Sequence, residues 1–157
     1  MSTPQYMVDS FRKDKAVQDN IVESWLCVDC GVNTAPGCLS GPELRIALAL
    51  SSSGSVEQRY TRETEIYDVR NSIWKQAGIR PWSGCLCISC LERRLGRQLR
   101  PKDFSKHDRD CWAQMPSTER LLNRRGLAPN TVPSLFIIRS EREDVLDWGR
   151  AWEDEAP

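Results

Sequence analysis

The chain has one histidine, no net charge and no long apolar run. The missing run excludes a bilayer-crossing helix, which needs about 18 or more such residues. The opening "MSTPQYMVDSFRKDKAVQDN" also lacks the apolar stretch of a secretory signal, so a cytoplasmic chain without membrane contact is expected. With 22 basic and 22 acidic residues, overall charge selects no partner. No Ser-His-Asp set, glycine-rich phosphate loop or catalytic carboxylate pair stands out.

Cysteine is plentiful, at seven in 157 residues. Cytosolic thiols seldom form lasting disulfides, so metal binding is the better default. "CVDCG" (27–31) and "CISC" (87–90) are both C-x-x-C. Two intervening residues let both sulfurs reach one tetrahedral ion at about 2.3 Å, and Zn²⁺ is the usual occupant. Gly31 permits the left-handed turn that closes the first knuckle. A second C-x-x-C makes a Cys27/Cys30/Cys87/Cys90 zinc site preferable to a thioredoxin-like redox pair, which needs only one.

Residues 1–20 form an arm or weak helix, 21–139 the metal-centred domain, and 140–157 an acidic C-terminal helix packed on it. Within that frame, 21–27 reads as a strand and 41–50 as a helix with Pro42 at its start. Residues 51–55 are a loop and 56–61 alternate as a strand. Ile66, Val69, Ile73 and Trp74 stand at helical spacing over 63–78, with Gly78 as the stop, although the first turn can also be extended. A helix around 117–125 ends at Gly126, and 134–139 is a short strand. Ser140 and Glu143 have the spacing of a capping box for the last helix. The fold class is α+β, a small zinc-stabilised core with added helices.

A strand, a knuckle, an intervening hairpin and a second knuckle opening a helix together resemble the treble-clef zinc fold. "IYDVRNSIWKQAG" with "GCLCISCLERRLGRQLRPKDF" is similar to a segment of small bacterial and phage proteins. That likeness implies the zinc site and no activity. HNH nucleases also open their final helix with such a knuckle, so a degenerate or unusual HNH-like nuclease is an alternative. Those enzymes need a histidine between the knuckles as general base, and none lies between Cys30 and Cys87.

Cys38, Cys85, His107 and Cys111 have the chemistry of a second Cys₃His zinc site. His107 and Cys111, four apart, share a face if "KHDRDC" is helical. The plainer reading, preferred, makes Cys38 and Cys85 small buried apolar residues and His107 a surface or capping residue.

Charge is uneven along the chain. From Ile88 to Arg125 ten Lys/Arg face five Asp/Glu, and from Ser140 to Pro157 two face seven. Ile88, Leu91 and Leu95 form the inward stripe of the helix after the second knuckle. Arg93, Arg94, Arg97, Arg100, Lys102 and Lys106 lie on or near its other side, an arrangement suited to phosphate. Trp25 and Trp74 read as core, whereas Trp82 and Trp112 stand in loop-like contexts where exposed rings stack on bases or anchor a protein. The expected function is a non-catalytic, zinc-binding protein that contacts DNA or RNA. The alternative is a protein-interaction module or inhibitor whose basic face is solvated or meets an acidic partner.

Overall fold

The structure is a computed structural model that describes residues 24–80 and 83–142. Helix α1 (Gly41–Leu50) begins at Ser40, whose hydroxyl accepts from the Glu43 N–H while Glu43 Oε1 accepts from the Ser40 N–H. Pro42 stands in its first turn, where a missing N–H costs nothing. Leu44 and Leu48 point inward, and Ile46 and Leu50 remain exposed. Strand β1 (Ser55–Thr61) follows the serine loop and pairs antiparallel with β2 (Leu135–Glu141), with Gln58 opposite Ile138 and Tyr60 opposite Phe136. Helices and this two-stranded sheet make the molecule α+β.

Two expectations change here. The partner of β1 comes from beyond the second knuckle, so the sheet is not a hairpin between the knuckles. Strand β2 also runs through Ser140, which pairs with Val56 rather than starting a helix. Glu143 and the rest of the expected C-terminal helix lie outside the described residues, as do the N-terminal arm and residues 21–23. Among the described residues, no helix is long and apolar enough to cross a membrane.

Helix α2 spans Asn71–Ala77, shorter than 63–78. Residues before it are extended because their backbone groups bond elsewhere. The Glu65 N–H donates to Thr34 O at 2.6 Å, the Asp68 N–H to Asp108 Oδ1 at 2.9 Å, and Val69 bridges Phe104. Gly78 ends α2 in the left-handed conformation, at φ 76°. Helix α3 (Ile88–Leu95) starts at Cys87 and stops at Gly96, φ 72°. A short helix α4 (Lys106–Asp110) is capped by the Ser105 hydroxyl, and α5 (Glu119–Arg125) by that of Thr118.

Two apolar clusters divide the interior. The larger joins Val69, Ile73 and Trp74 to Leu86, Ile88 and Leu91, and two of the cysteines on its margin are Cys87 and Cys90. The smaller, under the sheet, contains Tyr60, Trp112, Met115 and Ile138, with Trp25 packed beside it. Between them, Arg125 grips Asp108 through two bonds of 2.9 and 2.8 Å, donates to Ile66 O and stands 5.6 Å over the Phe104 ring.

Candidate metal centre

The first knuckle is built by backbone bonds. The Cys27 N–H donates to Val32 O and the Gly31 N–H to Cys27 O, each at 2.8 Å. Gly31 adopts φ 78°, a region that side chains resist. Cys27 also bridges Cys85 in parallel, and the Val28 N–H donates to Cys85 O at 3.0 Å, so the first knuckle lies alongside the approach to the second. Gly84 leaves room for this, since a Cβ there would meet Val28 Cγ1 at 2.7 Å. From behind, the Tyr67 hydroxyl donates to Leu86 O at 2.6 Å.

These contacts bring Cys27, Cys30, Cys87 and Cys90 together, with all four sulfurs within 4.8 Å of one another. Cys30 and Cys87 are 3.8 Å apart. A tetrahedron with bonds of ~2.3 Å has edges of about 3.8 Å, so the spacing suits one ion such as zinc. Cys27, Cys87 and Cys90 are buried and Cys30 is exposed. Burial pushes the Cys27 thiol up, but backbone N–H groups of Cys87, Cys30 and Asp29 outweigh it and bring it down to about 7. Cys87 is raised by burial, and Cys90 goes well above its ordinary value through burial and then the crowding of the other three sulfurs. Four thiolates cannot share this space without a cation.

The second cysteine–histidine set is not assembled. Among the described residues, the four knuckle cysteines are the one group of three or more such side chains placed to share an ion. Cys38 is buried under the sheet with its thiol on Arg59 O at 3.2 Å, and burial pushes it up to about 12. Cys85 donates to Leu26 O at 3.2 Å. The His107 ring lies edge-on to Trp112, 6.2 Å between centroids, and Cys111 ends α4. Local interactions, not a metal, place each of them.

The basic run also changes character. Arg94 makes two bonds to Asp29 at 2.8 and 2.6 Å, and Arg97 makes two to Asp103 at 2.7 and 3.0 Å. Their forks are therefore already engaged by carboxylates of the same chain. Arg120, Arg124 and Arg125 pair likewise with Glu65, Glu92 and Asp108. Arg93, Arg100, Lys102 and Lys106 are exposed and pair with no carboxylate among the described residues. Trp112 is only 4% exposed, so it cannot stack on a base or anchor a partner. Trp82 lies outside the described residues.

The sequence reading missed Asp29, Glu65, Ser89 and Arg120, which surround the cysteines. Asp29 and Ser89 were detectable as the third residues of their knuckles, but nothing local pointed to their partners. No family model, curated protein or solved structure matches this chain.

Proposed function

We propose that the four cysteines hold one zinc as a closed structural centre, and that the chain acts by binding nucleic acid rather than by catalysis. The carrying observation is the mutual approach of four thiol sulfurs within 4.8 Å. Four protein ligands complete a tetrahedral zinc and leave no position for water or substrate. The knuckle beside a helix-opening Cys pair supports a treble-clef relationship, although the sheet is joined differently. In a reducing cytoplasm such thiols are kept available for metal.

Arg93, Arg100, Lys102 and Lys106 are among the basic side chains of this region left exposed and without a carboxylate partner among the described residues. They follow one another on and just after α3, the helix that the zinc anchors, and suit phosphate rather than base edges. No histidine lies between Cys30 and Cys87 to serve as a general base, so the nuclease alternative is not favoured.

Binding to a duplex oligonucleotide across a salt series tests the reading. Four phosphate contacts predict a log–log slope of about −3.6, from roughly −0.9 per contact. Reversing all four residues to Glu should abolish binding while zinc content and melting stay unchanged. Wild-type protein that binds neither DNA nor RNA at low salt contradicts this part. The protein-interaction reading would then gain, since Leu26, Val28 and Val32 are each at least 50% exposed around the first knuckle.

A further inference from the structure

Each knuckle is strapped by an arginine. Asp29, the third residue of the Cys27–Cys30 knuckle, accepts two bonds from Arg94 of α3. The remaining arm of Arg94 donates to Ala77 O at 3.0 Å, at the end of α2. Ser89 is the third residue of the Cys87–Cys90 knuckle, and its hydroxyl accepts from Arg120 of α5. The rest of that guanidinium grips Glu65 through Nε and Nη2. The same position in both knuckles is thus tied to a distant element by one guanidinium.

Both guanidinium groups also lie near the sulfurs. Four thiolates around a divalent ion carry a net charge of about −2. Arg94 lies within electrostatic reach of Cys27 and Cys90, and Arg120 of Cys87. Each cation is also held by a carboxylate, Asp29 or Glu65, so what it brings to the thiolates is a fixed local contact rather than a surplus charge. Groups behind metal ligands commonly alter metal affinity by about 10–100-fold.

We propose that Arg94 and Arg120 are a matched pair of positioning residues that hold the two knuckles closed on the metal. They set how slowly the centre releases metal and how weakly its sulfurs react with electrophiles. The inference rests on the zinc reading above.

The full chain, loaded with zinc, is challenged separately with a chromogenic chelator and with iodoacetamide. Arg94→Gln and Arg120→Gln should each release zinc at least ~10-fold faster, and their cluster cysteines should alkylate faster. Arg124→Gln is the control: it breaks a comparable two-bond pair with Glu92, also between α5 and α3, without touching either knuckle. Its release rate should stay within about 2-fold of wild type, below the range for groups behind ligands. Should either Gln variant fail to fold, Asp29→Ala and Ser89→Ala remove the knuckle's own contact to the strap and are judged against the same control. Release and alkylation no faster than in Arg124→Gln overturn the inference and leave the zinc reading standing. A wild-type chain that takes up no zinc overturns both.

Discussion

Asp108 and Arg125 are the least exposed ion pair of the described residues, at 0% and 3% of their side-chain surface. A buried pair of this kind adds little over apolar packing, but removing one partner strands the other charge. Asp108 also accepts from the Asp68 N–H, so its loss removes the acceptor of three donated bonds. Asp108→Ala should therefore cost about 3–5 kcal/mol in urea unfolding of the zinc-loaded protein. A loss under about 1 kcal/mol, the scale of a surface pair, would show that the pair is solvated.

Carboxylates set a second residue-scale expectation. Burial works against the Glu65 carboxylate, but Arg120 and Thr118 donate to it and hold it below its ordinary 4.5. Arg97 holds Asp103 below 3.8, and Glu92 is lowered by Arg124 and the Leu99 N–H against its burial. Asp68 moves the other way, because burial outweighs the bonds from Ser105 and Trp74. For the three lowered groups the unfolded chain takes up protons first, so their stabilisation is complete above the ordinary values and fades as pH falls through and below them. Asp68 has the opposite sign, and its contribution is lost as pH rises through its raised value. The net effect is a loss of stability on acidification. Glu65→Gln should flatten that loss below about pH 4.5 while being less stable at neutral pH. An unchanged acid slope would exclude Glu65 as a contributor.

At the scale of elements, a tyrosine hydroxyl braces the entry to the second knuckle. Tyr67, stacked on Trp74 at 6.0 Å, reaches Leu86 O immediately before Cys87. Tyr67→Phe keeps the stack and deletes the bond, leaving a buried carbonyl short of a donor. A cost of about 1–3 kcal/mol is expected, read by urea unfolding at unchanged zinc content. A neutral substitution would mean that the knuckle is positioned without this hydroxyl.

Elements declared by local chemistry were legible in the sequence. Pro42 and the good helix formers after it marked α1, Gly78 and Gly126 marked helix stops, and the paired C-x-x-C marked the centre. Pairings across long separations were not. Nothing in residues 55–61 names 135–141 as a partner, because alternation fixes a strand's faces and leaves its neighbour open. Ile66 and Val69 matched a helical period, yet Thr34, Asp108 and Phe104 draw that backbone into extended bonds. The arginines misled for the same reason. Arg94 lies 65 positions from Asp29, and Arg120 lies 55 from Glu65, so a run that looks basic in sequence is largely neutralised in space.

For the whole molecule, the four-cysteine cluster, the proposed zinc site, is the junction. It ties the segment after Ser24 to α3, and through Arg94 and Arg120 to α2 and α5. A structural zinc supplies roughly 10 kcal/mol or more of apparent binding energy, comparable to the entire stability of a domain. Metal removal should accordingly melt the interior rather than loosen one loop. Cys30→Ser or Cys87→Ser should yield insoluble or metal-free chain, whereas Cys111→Ser, outside the cluster, should cost only a modest packing loss.

The most direct measurement is the metal-to-protein ratio of the purified chain, taken by elemental analysis beside the near-ultraviolet circular dichroism of its tryptophans before and after chelation. One zinc per chain is predicted, absent from Cys87→Ser and retained in Cys111→Ser and His107→Ala, with the tryptophan signal lost when the metal is removed. A metal-free chain with the same tryptophan signal would contradict the account. So would two zincs per chain falling to one in His107→Ala.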